Sequence, residues 1–100
     1  MLTRLFAALA VAATALHAPP VRADAGRDVA ATCAACHGTD GRSRGGIPSL
    51  AGRDKLEIVR QMRDFRDGRR PSTIMQQLAR GYTDAEVEAA AAYFAAQRSP

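Results

Sequence analysis

From about Gly26 onward the apolar positions recur at intervals of three and four, and no stretch alternates apolar with polar residues as a strand would. A short helix is predicted from about Gly26 to Cys33, with Val29, Ala30 and Cys33 on one side and Asp24 as its N-cap. Gly38 to Gly46 holds four glycines together with Asp40, Arg42, Ser43 and Arg44, which reads as a loop. Ile47-Pro48-Ser49-Leu50 is expected to be extended, because proline biases the residue before it away from helix. Asp54 can cap a second helix that runs to about Asp67 and stops before Gly68; Leu56, Ile58, Val59, Met62 and Phe65 form its apolar face. A third, shorter helix opens at Pro71-Ser72 and runs to Arg80, where Gly81 ends it. Thr83-x-x-Glu86 is a capping box before a last helix reaching about Gln97, with Val87, Ala90, Ala91 and Phe94 inward. The expected fold class is all-α, with about four short helices.

The first residues follow a different pattern. Arg4 precedes an apolar run from Leu5 to Leu16, then Pro19-Pro20, then Val21-Arg22-Ala23 with small residues where a signal peptidase reads; Ala23-Asp24-Ala25 is an alternative cleavage sequence. Residues 1–23 are therefore expected to be a signal peptide and residues 24–100 a single domain delivered to the periplasm. The apolar run is too short to span a bilayer comfortably, so an uncleaved anchor is the weaker alternative.

The whole chain of 100 residues carries a net charge of +4, and losing Arg4 and Arg22 with the leader lowers this to +2. So small and mixed a charge does not support nucleic-acid binding as the main function. From Asp24 onward there are 15 large apolar residues (Val, Ile, Leu, Met, Phe, Tyr) against 14 alanines, and no tryptophan. A domain this small is marginal even with a rich core, which points to a disulfide, a metal or a cofactor as part of the interior. A multidomain enzyme and a transmembrane bundle are excluded.

Both cysteines lie in Cys33-Ala34-Ala35-Cys36-His37. A disulfide closing so short a loop removes little unfolded-state entropy. A thioredoxin-like dithiol needs a βαβ context that is missing here, and zinc needs about four ligands where two Cys and one His remain. Covalent haem attachment is the reading that C-x-x-C-H signals directly. Each sulfur adds to one haem vinyl group, and His37, the one histidine left once the leader with His17 is removed, is placed to bind the iron. For the opposite face the candidates are Met75, Met62 and Lys55, with an open site as a further alternative. Met62 sits on the apolar stripe of a helix, where methionine usually fills space. Met75 follows the Arg69-Arg70-Pro71-Ser72 break, where the chain can lay a loop against the distal face, although Ile74, Met75 and Leu78 also fit a helix face. A soft thioether suits an electron-transfer haem and raises its potential.

Cys33 to His37 with Gly38, the Ile47-Pro48-Ser49-Leu50-Ala51-Gly52 segment, the Met-bearing loop and the terminal Ala91-Ala92-Tyr93-Phe94 run together resemble a class I cytochrome c of the short bacterial periplasmic type. Ser72-Thr73-Ile74-Met75 followed by Ala79-Arg80-Gly81-Tyr82 is most similar to the haem subunit of flavocytochrome c sulfide dehydrogenase, in a version with one haem, since one C-x-x-C-H occurs. The resemblance implies the class I cytochrome c fold around one covalent haem c, with Met75 as distal ligand and the Pro48 carbonyl accepting from His37 Nδ1–H. It also implies a crossing of first and last helices at Gly26 and Tyr93. Lys55 is the only lysine, so the lysine ring by which many such cytochromes dock is nearly absent. Arg60, Arg63, Arg66, Arg69 and Arg70 alternate with Asp64 and Asp67 and read first as a solvated helix face. The sharper reading is that Arg42, Arg44 or some of that cluster steer an acidic partner.

With the cysteines and His37 used, no nucleophilic constellation remains, so the expected function is one-electron transfer and the chain is not by itself an enzyme. The implied partner is a FAD-containing flavoprotein that oxidises sulfide. A free-standing shuttle between other redox proteins is the alternative. A catalytic or gas-binding haem with an open distal face is the alternative of another class.

Overall fold

The computed structural model describes residues 25–100, so the leader, its cleavage site and the Asp24 cap lie outside the described residues. Five α-helices follow in order: α1 (Ala25–Ala31), α2 (Ala34–His37), α3 (Lys55–Arg66), α4 (Met75–Ala79) and α5 (Asp84–Ala95). A 3-10 turn, Thr39–Gly41, follows α2, and no strand occurs among the described residues. Among the described residues no helix is long and apolar enough to cross a membrane.

The two long helices start where their caps dictate. The Asp54 carboxylate accepts the Glu57 N–H at 3.0 Å. Thr83 Oγ1 accepts the Glu86 N–H at 3.1 Å while Glu86 Oε1 accepts the Thr83 N–H at 3.0 Å, which completes the capping box. The other two predicted helices are corrected. The first, expected to reach Cys33, ends at Ala31, and a further single turn, α2, follows from Ala34, giving five helices among the described residues where about four were expected. The third begins at Met75 and not at Pro71-Ser72, because the Ser72 hydroxyl accepts the Gln76 N–H at 3.0 Å and so satisfies a first-turn donor from outside the helix.

α1 packs across α5, and α3 packs on α4 and α5. At the α1–α5 crossing Gly26 is buried; a Cβ there would overlap the Ala89 carbonyl oxygen and lie 3.5 Å from Tyr93 Cβ, so the missing side chain lets the two backbones meet. The core gathers Ala30, Ile58, Val59, Ala90, Ala91 and Phe94, with Val87 and Leu50 half-buried against it. Leu56 does not join the apolar face of α3: it is 73% exposed. At 3.6 residues per turn it points about 200° away from Ile58, which is buried.

Candidate haem site

The turn from Cys33 to His37 is a local structure. His37 N–H donates to the Cys33 carbonyl at 2.9 Å and Gly38 N–H to the Ala34 carbonyl at 3.0 Å, so residues 33–37 form one helical turn. Positions i, i+3 and i+4 share a helix face, which brings the side chains of Cys33, Cys36 and His37 to one side. Both thiols are free; Cys33 is half-buried and Cys36 exposed. Burial pushes the Cys33 thiol pKa above its ordinary value, against a smaller lowering by the Thr32 hydroxyl.

His37 is oriented by a contact eleven residues on. Its Nδ1 lies 2.7 Å from the Pro48 carbonyl oxygen. A carbonyl only accepts, so Nδ1 carries the proton and Nε2 is left with a lone pair for a metal. The loop that presents Pro48 is closed at its base. Leu50 and Ala51 N–H both donate to the Gly41 carbonyl, at 2.7 and 3.2 Å, and the Ser49 hydroxyl accepts the Ser43 N–H at 2.9 Å. Gly41 itself has φ +78°, and a Cβ there would lie 2.7 Å from the Phe94 ring, so the loop seats directly on α5. The Tyr93 hydroxyl donates to Asp40 Oδ1 and fastens the same loop from the other side. A cleft of about 740 Å³ opens beside the turn, bounded by Ala34, Ala35, Cys36 and the loop from Gly38 to Ile47.

The structure therefore brings Cys33, Cys36, His37 and Pro48 together. Met75 is the first residue of α4 and half-buried. Met62 lines a small cavity with Val59, Ala79 and Val87 among α3, α4 and α5. Lys55 is exposed at the start of α3. Among the described residues no three His, Cys, Asp or Glu side chains converge as a metal-binding group.

The residues present fit a haem. Among the described residues no large side chain is fully buried, and the apolar side chains left uncovered include Ile47, next to Pro48, and Ile74, next to Met75, with 44% and 54% of their surface exposed. A flat apolar macrocycle held by two thioethers and an imidazole is the group that such a surface and donor set would take. Sequence reasoning missed Ser43 and Ser49, which close the loop, and the pair Thr32–Tyr82, whose hydroxyl oxygens lie 2.6 Å apart. Fifty residues separate the latter two, and nothing local in the sequence links them.

A family model described as cytochrome c oxidase, cbb3-type, subunit III matches residues 21–94. The chain is 43% identical to the cytochrome subunit of sulfide dehydrogenase of Chlorobaculum tepidum, over 75% of this chain and 68% of that protein. It is 42% identical to cytochrome c4 of Pseudomonas aeruginosa, over 76% of this chain and 38% of the relative. It is also 42% identical to a protein named thiosulfate dehydrogenase electron acceptor from Stutzerimonas stutzeri, over 71% of this chain and 34% of that one. The solved structure of Acidithiobacillus ferrooxidans cytochrome c4 superposes with a TM-score of 0.65 at 29% identity, covering 77% of this chain and 52% of that one. The chain thus spans about two thirds of the first relative and well under half of the next two.

Proposed function

Since this chain belongs to the cytochrome c family, as an electron carrier with covalently bound haem c and not an enzyme in itself, we propose that Cys33 and Cys36 are its thioether residues and that His37 and Met75 are its axial ligands. The observation that carries the reading is the Cys33–His37 turn with His37 Nδ1 held 2.7 Å from the Pro48 carbonyl. Bound there, the haem takes up and releases single electrons. The two sulfurs would fix the ring to the turn, and the Pro48 carbonyl holds the imidazole plane and strengthens His37 as a donor. Met75 is preferred over Met62 because Met62 faces a small cavity between α3, α4 and α5, with Val59, Ala79 and Val87 among its lining. The thioether raises the potential relative to a second nitrogen ligand. In the haem-loaded protein, Met75→Ala should abolish the long-wavelength sulfur-to-iron charge-transfer band, whereas Met62→Ala should keep it. The reverse result would transfer the role to Met62.

The chain works in the periplasm, residues 1–23 serving as the signal peptide, and its donor is a FAD-containing flavoprotein that oxidises sulfide. The 43% identity to a cytochrome subunit of sulfide dehydrogenase favours that partner. A free-standing shuttle is the second reading, favoured by the likeness to cytochrome c4 and to a thiosulfate dehydrogenase electron acceptor. Gel filtration of protein from its native periplasm separates the two. Co-elution with a flavin and reduction by sulfide support the subunit; a haem monomer of its own mass, inert to sulfide, supports the shuttle.

A further inference from the structure

We infer that Tyr82 is a positioning residue that latches the Met75 segment to the haem-attachment turn. The Thr32 hydroxyl donates to the Val29 carbonyl at 2.7 Å, so its proton is committed and its oxygen must accept the Tyr82 O–H at 2.6 Å. Thr32 immediately precedes Cys33, and Tyr82 lies seven residues after Met75, between α4 and the cap of α5. Among the described residues, every other hydrogen bond made by residues 71–82 stays inside that segment: Gln76 to Ser72, Gln77 and Leu78 to Ile74, and Gly81 to Leu78. α4 is a five-residue helix without a side-chain cap, and Ala79 is its one buried residue. Beyond its packing on α3, so short a piece has, among the described residues, no hydrogen bond to the rest of the protein but this one. The Tyr82–Thr32 bond joins it to the element that carries the two thioethers, so the distal ligand and the attachment turn are fastened to each other through the protein. Displacing Met75 from the iron requires the segment to lift, and lifting it breaks this bond.

This rests on Met75 being the distal ligand. The test is the affinity of the oxidised, haem-loaded protein for imidazole, which displaces methionine from iron and is read from the loss of the sulfur-to-iron band. A net hydrogen bond of about 1 kcal/mol corresponds to about a fivefold change. Tyr82→Phe should bind imidazole about fivefold tighter, Thr32→Val the same, and the double variant no tighter than either, because both remove one bond. Thr32→Ser keeps the hydroxyl and should restore the parent affinity. Asp54→Ala, which deletes the N-cap of α3, should lower the denaturation midpoint without changing imidazole affinity. Affinities within twofold of the parent for Tyr82→Phe, additive single variants, or an equal effect of Asp54→Ala would each overturn the latch. Failure of the underlying ligand assignment looks different: the parent would lack the band, or Met75→Ala would keep it.

Discussion

Replacing Gly26 by alanine should destabilise the haem-loaded protein by about 1–2 kcal/mol, and the geometry of the α1–α5 crossing sets that figure. The added Cβ would overlap the Ala89 carbonyl oxygen, stand 3.0 Å from the Ala89 carbonyl carbon and 3.5 Å from Tyr93 Cβ. Carbon–carbon contacts are optimal at about 3.5–4.0 Å, so α1 would have to retreat by about 0.5–1 Å from a helix backbone that cannot rotate away. Overpacking of this kind costs about 1–3 kcal/mol. Alanine opposes it as the better helix former, by up to about 1 kcal/mol in a helix interior and by less at the second residue of α1. For a domain of this size each kcal/mol lowers Tm by about 4–8 °C, so a fall of about 4–16 °C is expected in far-ultraviolet circular dichroism melts. Gly45→Ala is the matched control: nothing lies within 4 Å of a Cβ there, and its effect should stay within about 0.5 kcal/mol. A Gly26→Ala protein that melts at or above the parent would refute the reasoning, since α1 and α5 would then not be held at contact distance.

Thr83→Ala should cost about 1 kcal/mol in urea denaturation through loss of the capping box of α5. Glu86, whose carboxylate accepts the Thr83 N–H and is held below its usual pKa by that bond, contributes stability that is complete above its unfolded pKa and lost as pH falls through the folded one; Glu86→Gln should flatten the acid limb of stability against pH. Asp84 is lowered in the same sense by the Arg66 guanidinium 2.7 Å away, and because both groups are exposed, the difference between Asp84→Asn and the parent should shrink in 1 M salt. Tyr93 is shifted the other way: its bond to Asp40 raises the phenol pKa, so its contribution is present below the unfolded pKa and disappears as pH rises through the raised one. Tyr93→Phe should therefore flatten the alkaline limb, measured by denaturant midpoints across pH.

What was legible in the sequence is what is encoded within a turn or two of itself. Asp54 and Thr83 each reach a backbone N–H three residues on, and α3 and α5 begin where those side chains say. The Cys33–His37 turn is equally local, which is why the haem could be read from five residues. What local sequence leaves undecided lies where longer contacts decide. The Gly41 carbonyl, taking two N–H groups from Leu50 and Ala51, folds the glycine-rich loop back on itself, and composition predicts only that a loop is there. Leu56 matched the apolar spacing to Val59 but not to Ile58, and only the packing of α3 on α4 and α5 tells which of these matters. Pro48 was named by family resemblance alone; its 2.7 Å approach to His37 is a tertiary fact.

The small core and the covalent attachment explain each other. Among the described residues, five of the eight buried apolar residues are alanines (Ala30, Ala51, Ala79, Ala90, Ala91), each removing little surface from water, and only Ile58, Val59 and Phe94 add bulk. A core of that kind would bind a diffusible cofactor weakly, because the polypeptide would have to order its own loosely covered segments, with Ile47 and Ile74 still 44% and 54% exposed, to surround it. Two thioethers, proposed here at Cys33 and Cys36, would change the problem. The ring can no longer leave, and its burial becomes an intramolecular event at high effective concentration. A group that contacts the folded state better than the unfolded one then adds its own contacts to the stability of the fold. A chain with this few large side chains can thus fold stably because part of its interior is joined to it by covalent bonds.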